Sequence, residues 1–193
     1  MKVTKSHRWS AIAAMAALLT LFAWAASSPV GSGPDDDFHN ASIWCGQGIR
    51  DDLCEQGSQP NTVLVPGTLV TNSSCFASQP NNSGACQENQ ELIETSRANL
   101  VGAVYPPIYY WTMSWMASPD VASSIVTMRV FNSIVAVALL LLTVAALPKN
   151  LRRIPILGYL GTSMPLGIFL TASINPSGWT FMSVLIFFGS TLG

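Results

Sequence analysis

Charged side chains are scarce in this sequence. Only 10% of the residues are charged, against about 25% in soluble domains, which argues against a water-soluble globular protein. The sequence has no basic cluster of the kind that binds nucleic acid. It also has no glycine-rich phosphate loop, no H-E-x-x-H zinc motif and no Gly-x-Ser-x-Gly nucleophile motif. These familiar routes to nucleotide, zinc-protease and serine-hydrolase chemistry are therefore excluded.

Acidic residues are absent from both ends of the sequence. All ten of them lie between Asp35 and Asp120. Only Arg50 and Arg97 oppose them there, so this segment is about eight charges negative. Basic residues instead precede the first hydrophobic run and occupy a short loop near residue 150; these are Lys2, Lys5, Arg8, Lys149, Arg152 and Arg153. The positive-inside rule predicts a cytoplasmic N-terminus and an extracytoplasmic acidic segment.

Four hydrophobic runs predict an all-α integral membrane fold with about four transmembrane helices. They cover residues 10–26, 121–147, 154–174 and 177–193. The first run is short and contains Ala-Trp-Ala, so a cleaved signal peptide is an alternative to a signal anchor. The last run is still apolar where the sequence stops, so we expect a fragment of a longer protein, with a complete four-span protein as the alternative.

These runs predict three regions of the chain. Residues 1–26 form the signal anchor or first transmembrane helix. Residues 27–120 form a large extracytoplasmic loop that carries the acidic cluster and an aromatic segment. Residues 121–193 form transmembrane helices two to four. We expect the loop to be too polar to build a core of its own, since it is rich in Asn, Ser, Gln, Gly and Pro.

Every cysteine lies in the predicted loop, at Cys45, Cys54, Cys75 and Cys86. An even number in an extracytoplasmic segment predicts two disulfides. Three pairings are open, and pairing of nearest neighbours closes the shortest loops, at roughly 2–3 kcal/mol each. A zinc site is disfavoured because there is no C-x-x-C pair and only His39 is nearby.

An acidic cluster with a histidine follows the first hydrophobic run. Asp35 and Asp36, with His39, are candidate catalytic residues at the membrane surface, or ligands for a divalent metal. The alternative is a helix cap, since carboxylates are favoured at the start of a helix and residues 38–49 are predicted to be helical.

Aromatic residues are concentrated in residues 105–116. Tyr105 and Tyr109 belong to this segment, which begins with two prolines and suits the interfacial layer of a membrane. It is predicted either to anchor the loop there or to form a wall for sugar rings or a lipid chain.

Arg129 is the only ionisable residue inside the hydrophobic runs. Such a residue faces protein or a water-filled cavity, so Arg129 is predicted either to pair with the acidic cluster or to bind phosphate, whose geometry suits a guanidinium. Asn132 shares its helix face. Asn175, in an Asn-Pro-Ser-Gly turn, is a further candidate for substrate binding.

Four short motifs occur in the same order as in a family of bacterial multi-span proteins, the domain of unknown function 2142. Residues 34–39, Pro-Asp-Asp-Asp-Phe-His, resemble its P-D-E-x-x-H motif, with Asp37 where the family often has proline. Residues 105–110, Tyr-Pro-Pro-Ile-Tyr-Tyr, resemble its Y-P-P-L-Y-Y element. Met-Arg at 128–129 and Ala-Ser-Ile-Asn-Pro-Ser-Gly at 172–178 resemble two further elements. The resemblance covers the whole chain.

This resemblance implies a function, because the family is similar to the GT-C class of membrane glycosyltransferases. Those enzymes carry an acidic motif in the first outer loop and use sugars linked to polyprenyl phosphate. We therefore expect transfer of such a sugar to an envelope acceptor at the outer face of the bacterial cytoplasmic membrane. Asp35 or Asp36 would be the base, His39 would position a partner or bind metal, and Arg129 would stabilise the leaving phosphate.

A non-catalytic role is the alternative. The protein would then be a membrane scaffold or subunit whose outer loop binds another envelope protein or a cell-wall polymer. The expected partners are membrane lipid and a lipid-linked sugar, or that envelope protein, with no nucleic acid. A scaffold would bury the acidic cluster in caps and ion pairs.

Overall fold

The computed structural model describes residues 5–70, 75–87, 91–100, 104–163 and 165–191. The chain divides into two compact units. The loop unit is Ser28–Met128, and the membrane unit combines Met1–Ser27 with Arg129–Gly193.

Two long apolar helices match the first two predicted spans. Helix α1 is Lys5–Ser27 and helix α4 is Val121–Ala146. At 1.5 Å per residue, the 26 residues of α4 are about 39 Å long, more than the roughly 30 Å of a bilayer core. Both helices are long and apolar enough to cross a membrane.

The third predicted span is divided into two short helices. Helix α5 is Arg153–Thr162 and helix α6 is Pro165–Thr171, and their axes are bent by 102°. Gly167 permits the close approach, because a Cβ there would lie 2.4 Å from the carbonyl oxygen of Thr162. The two helices together make one membrane span only if a span broken by this bend is counted.

The fourth predicted span contains helix α7, Pro176–Thr191, of 16 residues. Residues 192 and 193 of that prediction, and residue 164 of the third, lie outside the described residues. The described part of the chain thus has two helices able to cross a membrane, or three with the bent pair. Four spans stay a prediction.

The membrane unit packs around a small apolar cluster. Leu21 of α1, Val137 of α4 and Ala172 after α6 are its buried members. Trp24 meets Phe169 edge-on, with ring centroids 6.3 Å apart. Large side chains elsewhere on these helices are exposed, among them Leu142, Leu157, Phe187 and Phe188, as suits helices in lipid.

The loop unit corrects the expectation of an all-α fold. It contains helix α2 (Asp36–Trp44), helix α3 (Ile108–Ser114) and two 3₁₀ helices (Gly67–Leu69 and Gly84–Gln87). It also contains a three-stranded antiparallel sheet in the order β1-β2-β3. The strands are β1 (Glu55–Gln56), β2 (Val63–Pro66) and β3 (Leu92–Thr95). Val65 pairs with Ile93 in this register.

The expectation that the loop lacks a core is also wrong. Five side chains from its helices and sheet are completely covered: Ile43, Trp44, Val65, Leu69 and Met113. Each element contributes only one or two of them, so no long apolar run signals this core in the sequence.

Both disulfides join nearest neighbours, as the shortest-loop argument favoured. Cys45 pairs with Cys54, and Cys75 pairs with Cys86. Helix α2 ends at Trp44, five residues before the predicted end at residue 49. Cys45 is its C-cap and is tied to Cys54, and Gly48 has a φ of 85°, which a helix cannot contain.

Candidate functional site

The acidic cluster forms the start of helix α2. Asp35 is the N-cap residue and has a left-handed backbone, with φ 55° and ψ 24°. Asp36 is buried, and its carboxylate accepts the backbone N–H of Gly33 at 2.9 Å. A side chain at position 33 would collide with this carboxylate, since a Cβ would lie 2.5 Å from Asp36 Oδ1. Asp36 thus fastens the turn that leads into the helix.

Asp35 and Asp37 share one partner, Arg97. The Arg97 guanidinium donates Nη2–H to Asp35 Oδ1 at 3.2 Å and Nε–H to Asp37 Oδ2. The hydrogen bond to Asp37 raises the pKa of Arg97. Side chains in these pairs are solvent-accessible, with 69% of Asp35 and 54% of Arg97 exposed. Exposed ion pairs contribute roughly 0–1 kcal/mol to the free energy of unfolding. A ligand could therefore replace Arg97 as the partner of these carboxylates at little cost in free energy.

His39 lies beneath this surface, in contact with Tyr110. Its side chain is buried, and Nδ1 is 3.0 Å from the Tyr110 hydroxyl. The two rings stack with an interplanar angle of 24°. Burial lowers the pKa of His39, against the opposing effect of Asp35 and Asp37. Burial likewise raises the pKa of Tyr110. A neutral imidazole and a neutral phenol therefore form the pair at neutral pH.

The two candidate tyrosines occupy different environments. Tyr105 is 37% exposed, and its ring meets His39 edge-on at a centroid distance of 5.4 Å. Tyr109 is buried on the inner face of α3 and contacts Tyr110 edge-on at 5.7 Å. Only Tyr105 has a ring that a ligand could contact at the surface.

No group of three or more His, Cys, Asp or Glu side chains is arranged to hold a metal ion within the residues that the structure describes. Asp36 and His39, two of the three candidate ligands, contact Gly33 and Tyr110 instead. The metal hypothesis has no geometric support in this part of the chain.

Arg129 is buried in the membrane unit, with 1% of its surface exposed. Its Nη1–H donates to the carbonyl oxygen of Ala25 at 3.3 Å, which links α4 to the end of α1. Its own carbonyl accepts the hydroxyl of Ser133 at 2.8 Å. The charge is thus enclosed by protein, as expected for an ionisable residue within an apolar helix.

Asn132 joins three parts of the membrane unit. Its Nδ2 donates to the carbonyl oxygen of Ser173 at 2.8 Å, and its Oδ1 accepts the indole N–H of Trp179 at 2.9 Å. Helix α4 is thereby bound to α7 and to the segment before it, in the way that polar side chains join membrane helices. A cavity of about 150 Å³ adjoins Asn132 and Trp179.

Asn175 caps helix α7. Its Oδ1 accepts the backbone N–H of Ser177 at 2.8 Å, and Pro176 occupies the first helical position. This arrangement is favoured at helix starts because proline has no N–H to leave unpaired. The cap accounts for this asparagine without a ligand.

The structure places the predicted site residues in two groups. Asp35, Asp36, His39, Tyr105 and Tyr109 belong to the loop unit, while Arg129, Asn132 and Asn175 belong to the membrane unit.

Sequence reasoning did not select the partners of these residues, which are Arg97, Tyr110 and Trp179. The sequence does indicate Arg97 as a partner for carboxylates, because it is one of two cations in an acidic segment. Tyr110 was marked only by its place in the aromatic segment, and Trp179 only by following the Asn-Pro-Ser-Gly turn.

Apolar helices of membrane-spanning length and two disulfides outside them are the features of a membrane-associated protein. Residues 18–192 match the family model described as "Predicted membrane protein (DUF2142)", so the chain belongs to this family. The family resemblance of the motifs is confirmed. No curated protein and no solved structure matches the chain.

Proposed function

We propose that this protein is a GT-C-like glycosyltransferase of the bacterial plasma membrane, with four spans, a cytoplasmic N-terminus and the loop unit outside. It would transfer a sugar from polyprenyl phosphate to an acceptor of the cell envelope. The observation that carries the proposal is the exposed carboxylate of Asp35, which lies in a left-handed backbone conformation at the start of α2.

The loop-unit geometry favours Asp35 over Asp36 as the base. Asp36 is 3% exposed and accepts the N–H of Gly33, so an acceptor hydroxyl cannot reach it without opening the turn. Asp35 is open to solvent, and Arg97 beside it is also exposed. In the proposed step Asp35 takes the hydroxyl proton while the hydroxyl oxygen bonds to the anomeric carbon. The bond from that carbon to phosphate oxygen breaks, and polyprenyl phosphate leaves with the electron pair.

Tyr105 and His39 have supporting roles in this proposal. The partly exposed ring of Tyr105 offers an apolar face for a sugar ring. His39 is buried, stacks on Tyr110 and meets Tyr105 edge-on, so it acts as a positioning residue for the ring of Tyr105. Arg129 is covered, and a phosphate could reach its guanidinium only if the surrounding helices opened. We therefore assign Arg129 to the structure of the membrane unit.

Asp35→Asn tests the proposed base. Asparagine also tolerates a left-handed backbone, so this change removes the charge without straining the turn. Transfer of labelled sugar from polyprenyl phosphate to envelope polymer, in membranes of a strain without its own copy, should fall by about 10²–10⁴-fold. The amount of inserted protein should not change.

Asp37→Asn is the matched control, since it removes the charge from the other carboxylate that pairs with Arg97. It should retain transfer within a few-fold. Full transfer by the Asp35→Asn protein at normal protein levels would exclude the proposed base.

A non-catalytic subunit is the second candidate, and one observation favours it. All three aspartates have structural partners: Asp36 binds the turn, and Asp35 and Asp37 bind Arg97. This role predicts that Asp35→Asn and Asp37→Asn behave alike, with transfer unaffected in both.

A further inference from the structure

Helix α3 has two apolar faces. Its inner face, formed by Tyr109, Tyr110, Met113 and Ser114, is buried in the loop unit. Its outer face carries Ile108 and Trp111, and the C-cap residue Trp115 continues this face; the three are 60%, 48% and 68% exposed. These positions follow the i, i+3, i+7 spacing of one helix face. Large apolar side chains in a row at a surface mark an interaction site.

The outer face of α3 is free of charge. No charged residue occurs between Arg97 and Asp120. Thr112 is the polar residue beside the tryptophans, and its hydroxyl donates to the carbonyl of Ile108 at 2.8 Å. The helix backbone thus accepts the hydrogen bond of this hydroxyl, so the hydroxyl does not need water. Trp111 and Trp115 meet edge-on at 5.8 Å and leave their indole N–H groups as the polar features of the face.

The sequence next to α3 identifies the occupant of this face. Five residues separate Trp115 from Val121, the first residue of the membrane-length helix α4. Such a connection spans at most about 20 Å when extended, so α3 stays close to the start of a helix that is long enough to cross a membrane. Tryptophan is the residue type enriched where a membrane meets water, and exposed Val104 continues the apolar surface before the helix.

We propose that the outer face of α3 lies in the interfacial layer of the phospholipid bilayer and holds the loop unit against the membrane. The helix would lie parallel to the surface, with Ile108, Trp111 and Trp115 at the level of the glycerol and upper acyl carbons. A protein partner is the less suitable occupant, because the face offers no charge and only indole N–H groups for hydrogen bonding. This proposal is independent of the proposed sugar transfer.

Depth-dependent quenching tests the proposal on the full chain in phosphatidylcholine vesicles. The emission of one tryptophan is obtained as a difference spectrum. The spectrum of the Trp111→Phe or Trp115→Phe protein is subtracted from that of the unchanged protein. We expect lipid labelled with doxyl at carbon 5 to quench this emission at least twofold more than lipid labelled at carbon 12, with little quenching by aqueous iodide. Trp44, which is fully buried in the loop unit, is the control and should respond to neither.

Two results would overturn the proposal. Quenching by iodide but not by doxyl lipid would place the face in water. Absence of quenching by both would place it against protein.

A second measurement does not depend on difference spectra. Ile108→Cys labelled with the dye NBD should emit at shorter wavelength and resist reduction by dithionite, whereas exposed Gln59→Cys should be reduced at once. Equal reduction at both sites would also contradict the proposal.

Discussion

The three aspartates at the start of α2 have the same chemistry and different environments. Asp36 is enclosed and bound to the turn, while Asp35 and Asp37 reach solvent and share Arg97. Their order in the sequence does not distinguish them. Asp36 and Asp37 are successive residues of α2, so their side chains leave the helix about 100° apart, and that of Asp36 is on the covered side.

At His39, the lowered pKa predicts a stability that depends on pH. Because burial favours the neutral imidazole, the unfolded chain binds a proton more readily, with a pKa of about 6.5. The stability due to neutral His39 is present above that pH and decreases as the pH falls toward the pKa of the folded state. Pulse proteolysis of the loop unit in the intact protein should show this loss between pH 7.5 and 5.5.

His39→Gln should remove this pH dependence and lower stability by about 1–2 kcal/mol through the lost bond to Tyr110. His7→Gln changes the one other histidine and is the control. If the His39→Gln protein loses as much stability between pH 7.5 and 5.5 as the unchanged protein, groups other than His39 cause the pH dependence.

For some single residues the chemical type predicted the environment, and for others it did not. A charged residue within an apolar helix must be enclosed, so the burial of Arg129 follows from the sequence. The burial of Tyr109 rather than Tyr105 does not follow, because it depends on which face of α3 packs on the loop unit.

At the level of elements, the disulfides offer a matched comparison. The pairs Cys45–Cys54 and Cys75–Cys86 close loops of similar size, with separations of 9 and 11 residues. Chain entropy therefore predicts nearly equal stabilisation, roughly 2.5–3 kcal/mol each. Cys54 is fully buried beside the end of α2, whereas Cys86 is exposed.

Replacing Cys45 and Cys54 by Ser should therefore destabilise the loop unit more, by about 1–2 kcal/mol, than replacing Cys75 and Cys86, because it also buries a hydroxyl. Urea unfolding of the detergent-solubilised protein, followed by pulse proteolysis, measures the difference. Equal losses would mean that loop closure alone explains both bonds. The native protein should also yield no alkylatable thiol.

Long apolar elements were predictable and short ones were not. Helices α1 and α4 follow from runs of apolar residues that only a membrane or a large core can accommodate. Strands β2 and β3 have four residues each, and β1 has two. Their pairing depends on contacts between distant residues, such as Val63 with Thr95, and no local period reveals such contacts.

For the whole molecule, composition located the loop unit but did not predict its core. Polar residues dominate the segment, yet a few apolar side chains and two disulfides make it compact. Disulfides of this kind are typical of small units with limited cores outside the cytoplasm. The charge asymmetry predicts the same location by the positive-inside rule, since the acidic residues belong to this unit and basic residues surround Asn150.

The proposed sugar transfer requires the loop unit to lie outside and the connection after α4 to lie in the cytoplasm. Labelling of single added cysteines with a membrane-impermeant maleimide in spheroplasts tests this most directly. Gln59 and Asn150 are both exposed in the structure, so neither substitution disturbs a core. Gln59→Cys should react in intact spheroplasts, and Asn150→Cys should react only after permeabilisation. Reaction of Asn150→Cys from outside, or of Gln59→Cys only after permeabilisation, would contradict the account.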